Sequence, residues 1–125
     1  RVEPGKRPRS SMSPTIVLKD GLPNLVIGSP GGSRIIGYVV QAIVAHIDWG
    51  MDVQAAVSIP HAVNRFGTFD LEKNTSLENM IQPLEALGYR VNLRVLNSGL
   101  HAISIAKDGL AGGADPRREG IALGS

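Results

Sequence analysis

Two adjacent glycines, Gly31 and Gly32, lie in the run Gly28-Ser29-Pro30-Gly31-Gly32-Ser33-Arg34, between a β-type segment and a long apolar helical segment. Glycines at such a junction let the backbone take positive φ, so that successive N–H groups converge on one point. The helix N-terminus adds roughly half a positive charge there. The chemistry this suits is anion binding: a phosphate, a carboxylate, or the oxyanion of an acyl-transfer intermediate. In that last case losing one donor costs about 3 kcal/mol in the transition state. A plain strand-to-helix turn has the same pattern, and spacing alone leaves both open. The run matches neither a dinucleotide fingerprint nor a phosphate-loop spacing, which argues against nucleotide. A second candidate is Ser10-Ser11-Met12-Ser13, which follows Lys6, Arg7 and Arg9. Hydroxyls beside cations can hold a carboxylate through charge-assisted bonds; a solvated Ser-rich linker has the same composition.

Other chemistries are excluded or weaker. The chain has no cysteine, which removes disulfides, thiolate metal sites and cysteine nucleophiles. His46, His61 and His101 show no metal-ligand spacing with one another, and no Ser-His-Asp arrangement with a nucleophile elbow is present. No metal or organic cofactor is implied. His46 sits on the apolar helix and reads as a satisfied core or interface residue. His61 follows Pro60 in an expected loop, which leaves a general-base role open. Asp115-Pro116-Arg117-Arg118 fits an ion-pair corner or a solvated tail.

The elements that must position these residues follow from turns and periodicity. Thr15–Leu18 and Leu25–Gly28 are short β runs around an Asp20-Gly21 turn, a hairpin signal. A helix is expected from Ser33, as N-cap, to Asp48; its apolar residues surround the axis, so burial on more than one face is expected. A short helix over Asp52–Val57 is capped by Asp52 and stopped by Pro60. His61–Asn74 reads as loop with a short strand at Thr68–Glu72. Thr75-Ser76-Leu77-Glu78 is a capping-box pattern opening a helix whose Leu77, Met80, Ile81, Leu84 and Leu87 share a face, ending at Gly88. Val91–Val95 and His101–Lys107 are strands, the second turned by Asp108-Gly109 into Leu110–Gly113. The two Asp-Gly hairpins fit two sheets or two halves of one. The order predicts a mixed α+β fold with antiparallel pairs.

The 125 residues suffice for one domain and one core. The net charge is +2, from 13 basic and 11 acidic groups. Four of the basic groups (Arg1, Lys6, Arg7 and Arg9) lie in the first nine residues against Glu3 alone. Aromatics make up 4% and no helix carries a basic stripe, so no nucleic-acid partner is expected. The longest apolar stretch, Ile35–Ile47, is interrupted by Gly37, Gln41 and His46 and is too short to span a bilayer. The chain begins with Arg1 and shows no signal-peptide core, so it reads as a piece of a longer protein.

Set in order, three segments closely resemble the small subunit of gamma-glutamyltranspeptidases, also called glutathione hydrolases. They are Gly5-Lys6-Arg7-Pro8-Arg9-Ser10-Ser11-Met12-Ser13-Pro14-Thr15, Gly28-Ser29-Pro30-Gly31-Gly32-Ser33-Arg34-Ile35 and Ala114-Asp115-Pro116-Arg117. The resemblance implies an N-terminal-nucleophile hydrolase fold, an αββα sandwich with the hairpins in stacked sheets and the Ile35–Ile47 helix on an outer sheet face. It implies a self-cleaving precursor whose new N-terminal threonine attacks the γ-glutamyl amide, with its own α-amine as base. Gly31 and Gly32 then resemble the oxyanion-hole glycines, and Ser10 and Ser11 the pair that binds the substrate α-carboxylate. Residues 1–14 become an extended substrate-binding segment, and Arg117 a structural ion-pairing arginine.

None of Thr15, Thr68 or Thr75 is a chain terminus, so the nucleophile is expected upstream of Arg1 and the chain alone is expected to be inert. Its expected partners are the large subunit and the upstream part of the small subunit of one precursor. The expected substrates are glutathione or another γ-glutamyl compound, with an amino acid, peptide or water as acceptor. The resemblance implies a periplasmic or secreted parent. Arg9 replaces an apolar residue found in many members, and His61 replaces an arginine. A cephalosporin or glutaryl acylase of the same fold, and a non-catalytic self-associating domain, are the alternatives.

Overall fold

The computed structural model describes residues 1–124. In chain order the elements are β1 (Thr15–Lys19), β2 (Leu22–Gly28), a 3-10 turn (Gly32–Arg34), α1 (Ile35–Ile47), α2 (Val53–Ser58), β3 (Ala62–Arg65) and β4 (Thr68–Glu72). A second 3-10 turn (Ser76–Met80), α3 (Ile81–Ala86), β5 (Arg90–Arg94), β6 (His101–Ala106) and β7 (Gly109–Ala114) follow. Residues 1–14 carry no helix or strand.

Both expected hairpins form. Asp20 and Gly21 turn the first one with φ of 53° and 79°, the primed-turn geometry that matches strand twist. The hairpins do not lie in stacked sheets: β2 pairs with β6, giving one antiparallel sheet in the order β1-β2-β6-β7. They are two halves of a single large sheet. A small sheet, β3-β4-β5, lies in the segment read as loop plus one strand. Its β4–β5 pair is parallel, which corrects the expectation of antiparallel pairs; the 3-10 turn and α3 form the crossover that a parallel pair requires.

The helices differ from expectation at their ends. Ser33 is not an N-cap: a 3-10 turn precedes α1, and Arg34 holds the N-cap position without a side-chain cap. Asp52 does cap α2, its carboxylate accepting from the Ala55 amide at 2.9 Å. The expected Thr75–Gly88 helix is split into a 3-10 turn and α3. Pro83 is tolerated because it is the third residue of α3, where amides have no helical partner. Thr75 Oγ1 accepts from the Leu77 amide, whereas Glu78 accepts from Asn74 rather than from Thr75. The apolar face of this segment is not covered, with Met80 and Leu87 exposed.

The core lies between the large sheet and the helices. Leu25, Ile27 and Ala102 from the sheet meet Ile35, Tyr38, Val39 and Ala42 of α1 and Val53 and Val57 of α2. Val63, Leu96 and Leu100 close it from the small sheet and the β5–β6 connection. Gly37 lets α1 approach β3, since a Cβ there would stand 2.7 Å from Val63 Cγ1. α1 buries one side only; Ile36, Val40 and Ile47 are exposed. On the far face of the large sheet Ile16, Val26 and Ile103 are aligned by register and also exposed.

Candidate functional site

The glycine doublet needs glycine at both positions, for different reasons. Gly31 has φ +137° and Gly32 φ +61°, conformations in which an L side chain is strained. A Cβ on Gly31 would also stand 2.9 Å from Tyr38 Cε2. Nothing lies within 4 Å of a Cβ on Gly32, so that side of the turn is open. A left-handed residue followed by right-handed helical ones aims neighbouring amides the same way, the arrangement that binds anions. Among the described residues neither the Gly31 nor the Gly32 amide donates to a protein acceptor.

The turn is gripped by the β5–β6 connection. The Gly99 amide donates to Ser29 Oγ at 3.2 Å, and Pro30 Cγ sits where a Gly99 side chain would begin, 2.7 Å from its Cβ position. The Asn97 carbonyl lies on the Gly31 side. These contacts, the Tyr38 ring and the Arg34 anchor described below are parts of the site that sequence reasoning missed. Except for Tyr38, seven residues from Gly31, each partner is tens of residues away in the chain, and no local signal marks it.

Hairpin register brings the serine segment toward the same place. β1 and β2 pair as Val17↔Leu25, Ile16↔Val26 and Thr15↔Ile27. Pairing stops at Thr15, so residues 10–14 enter β1 at the end of the sheet where residues 29–32 leave β2. Both motifs leave the large sheet at one end. Ser10 is exposed and Ser11 half-buried. Ser10 Oγ accepts from the Met12 amide at 3.2 Å, leaving its proton free, and the Ser11 carbonyl accepts from Ser13 Oγ. An apolar groove of about 920 Å³ runs along the outer face of the large sheet between Pro14, β6, β7 and residues 121–124. Gly31, Gly32, Ser10 and Ser11 do not line it.

His61 is not in a loop open to substrate. It is fully buried just before β3, its ring 4.2 Å from that of Tyr38, which removes the general-base role. Its Nε2 meets Ser98 Oγ at 2.6 Å, and Ser98 Oγ donates in turn to Asp115 Oδ2. Ser98 has a single proton, so His61 must donate through Nε2–H, which fixes the neutral tautomer. Burial, reinforced by the Arg117 charge, lowers the His61 pKa to about 4. Burial alone would raise the Asp115 pKa. Hydrogen bonds from Ser98, from the Arg117 and Leu100 amides and from the Arg117 guanidinium outweigh it and hold the pKa below the usual value.

Arg117 makes the ion-pair corner. Its Nε and Nη2 donate to the two Glu72 oxygens at 2.6 and 2.8 Å, and Nη1 donates to Asp115 at 3.0 Å. The Ile59 carbonyl accepts from Nη2 at 2.7 Å. Glu72 also accepts from the His61 amide. This network braces the β5–β6 connection from below. His46, read as satisfied, has its Nδ1 2.7 Å from the Met51 carbonyl oxygen. Among the described residues no group of His, Asp and Glu is arranged to hold a metal.

The same fold occurs in solved enzymes. The structure matches a mutant of Helicobacter pylori gamma-glutamyltranspeptidase with a TM-score of 0.85 and 38% identity, over 94% of this chain and 66% of that one. The fold is thus that of the N-terminal-nucleophile hydrolases, in the α+β class expected from the sequence. Over residues 1–125 the chain matches the gamma-glutamyltranspeptidase family model, and it belongs to that family. It is 45% identical over 119 residues to the glutathione hydrolase proenzyme of Escherichia coli K12, covering 93% of this chain and 20% of that protein. It is 38% identical over 115 residues to the "Acylase ACY 1 proenzyme" of Pseudomonas sp. strain SE83, covering 90% of this chain and 20% of that protein. The chain therefore spans about a fifth of the length of these curated relatives.

Proposed function

We propose that this chain is the C-terminal part of the small subunit of a gamma-glutamyltransferase, or glutathione hydrolase. Its role is to hold the γ-glutamyl group while a threonine elsewhere in the precursor attacks it. The attack of the threonine hydroxyl on the γ-carbonyl pushes an electron pair onto the carbonyl oxygen. The Gly31 and Gly32 amides receive that charge, and each donor is worth about 3 kcal/mol. Collapse of the intermediate expels the amine, which takes up the proton removed from the threonine, and leaves a γ-glutamyl ester. Water, an amino acid or a peptide then attacks the ester carbonyl, forming a second tetrahedral intermediate that expels the threonine oxygen, and the proton lost by the acceptor returns to the threonine. Ser10 and Ser11 bind the substrate α-carboxylate. The chain alone lacks the nucleophile and is inert; the large subunit and the rest of the small subunit complete the site, in a parent exported to the periplasm or secreted.

The observation that carries this reading is the hairpin register, which directs the serine pair and the glycine doublet to one end of the large sheet. A glutaryl acylase is the second reading, favoured by the likeness to the Pseudomonas acylase. A glutaryl tail ends in a carboxylate at the same position and differs from a γ-glutamyl group in lacking the α-amino group, so the Ser10-Ser11 pair suits either acyl group and substrate preference separates the two readings. The full-length protein should release 4-nitroaniline from γ-glutamyl-4-nitroanilide. Self-cleavage combined with hydrolysis of glutaryl amides and indifference to that anilide would transfer the assignment to the acylase.

A further inference from the structure

Nothing local fastens the glycine doublet on its C-terminal side. Neither the 3-10 turn nor α1 has a side-chain cap, the first turn of each lacks an acidic residue, and Gly32 faces open space. Adjacent glycines have the greatest backbone freedom of any pair, so their amides hold one direction only if something outside the turn fixes it. Tyr38, Ser29 and Gly99 do so on the N-terminal side. On the other side Arg34, two residues beyond Gly32, reaches across to the middle strand of the small sheet. Its Nε and Nη2 donate to Asp70 Oδ2 at 2.9 and 2.6 Å. Asp70 is 3% exposed. Its other oxygen accepts from Asn92 Nδ2 at 3.5 Å and faces Arg94 Nη1 at 3.9 Å.

A buried ion pair is a poor source of net stability, since its desolvation offsets its attraction and apolar pairs of similar size often serve as well. Its distinctive contribution is geometry. The forked guanidinium on a buried carboxylate sets both distance and angle between the turn and β4. We infer that the Arg34–Asp70 pair is the positioning device that holds the Gly31 and Gly32 amides on the developing oxyanion. This rests on the oxyanion reading above. Arg34 is a positioning residue: its guanidinium is spent on Asp70.

The test uses the full-length protein carrying Arg34→Met together with Asp70→Leu, which removes both charges at similar volume and leaves no buried ion unpaired, Arg94 being half-exposed. Arg34→Lys, which keeps the charge and loses the fork, is the second variant. An ester in place of the Gly32 amide is the control for the oxyanion reading itself. The double variant should lose 10- to 100-fold in kcat with KM within about twofold, because amides displaced by a fraction of an ångström lose mainly transition-state contacts. A boronic acid analogue of the γ-glutamyl group, which forms a tetrahedral anion on the nucleophile, should weaken by the same factor. Arg34→Lys should lie between the double variant and the parent. Parental kcat and boronate affinity in the folded double variant, with the ester inactive, would overturn the positioning role and leave the oxyanion reading standing. Should the double variant not fold, parental kcat in Arg34→Lys overturns the role equally. An active ester would sink the oxyanion reading and this inference with it.

Discussion

The buried imidazole of His61 makes stability depend on pH in a calculable way. Burial and the Arg117 charge lower its pKa from 6.5 to about 4. Above pH 6.5 the ring is neutral in both folded and unfolded chains and its environment is fully stabilising. Between pH 6.5 and 4 the unfolded chain binds a proton that the folded one refuses, so stability falls with pH. Below about 4 both forms are charged and this contribution is gone. At about 1.4 kcal/mol per pH unit the total is about 3 kcal/mol, of which about 2.5 kcal/mol is lost by pH 4.5. Urea unfolding followed by circular dichroism at pH 7, 5.5 and 4.5 measures it. His61→Gln keeps a donor for Ser98 and removes the titration, so its stability should change far less over the same range. An equal slope in His61→Gln, or a flat profile in the parent, would refute the assignment of a neutral imidazole enclosed by Ser98 and Tyr38.

Three further outcomes follow from the same geometry. Arg117→Met leaves the Glu72 and Asp115 carboxylates buried without their cation and should cost about 3–5 kcal/mol at pH 7. Both carboxylates lie below their usual pKa in the parent and would rise in the variant, so the deficit in urea unfolding should shrink as pH falls toward 4. Gly32→Ala should cost about 1–2 kcal/mol for its positive φ, whereas Gly31→Ala, which also drives a Cβ against the Tyr38 ring, should cost about 1–3 kcal/mol more; calorimetry ranks the two. Ser10→Ala with Ser11→Ala in the full-length protein should raise KM for a γ-glutamyl substrate, each lost bond to a carboxylate being worth about 1.5–3 kcal/mol, with little change in kcat. An unchanged KM would remove the carboxylate role.

What could be read from the sequence was local. Asp20-Gly21 and Asp108-Gly109 announce their hairpins because both supply positive φ at little cost. The β3–β4 hairpin was not legible because its turn is Phe66-Gly67, with φ of 52° and 81°. A phenylalanine in that conformation is sterically unfavourable and carries no turn signal. The parallel β4–β5 pair was missed for a related reason: Pro83 shortens the crossover helix to α3, while the apolar periodicity continues through it to Leu87. The glycine doublet and the serine pair were visible as motifs, but not what aims them. Asp70 is 36 residues from Arg34, and Ser98 is 37 from His61. Contacts over such separations depend on the topology of both sheets, which a single sequence does not display.

The central claim is that the Gly31 and Gly32 amides receive the negative charge of the transition state. Proline cannot test it, because its φ near −65° is incompatible with +61° at Gly32. Incorporating glycolic acid at position 32 of the full-length protein replaces the N–H by an ester oxygen and keeps the freedom of glycine. Hydrolysis of γ-glutamyl-4-nitroanilide by that protein should fall 10²- to 10³-fold in kcat with KM nearly unchanged. A kcat within threefold of the parent would contradict the account.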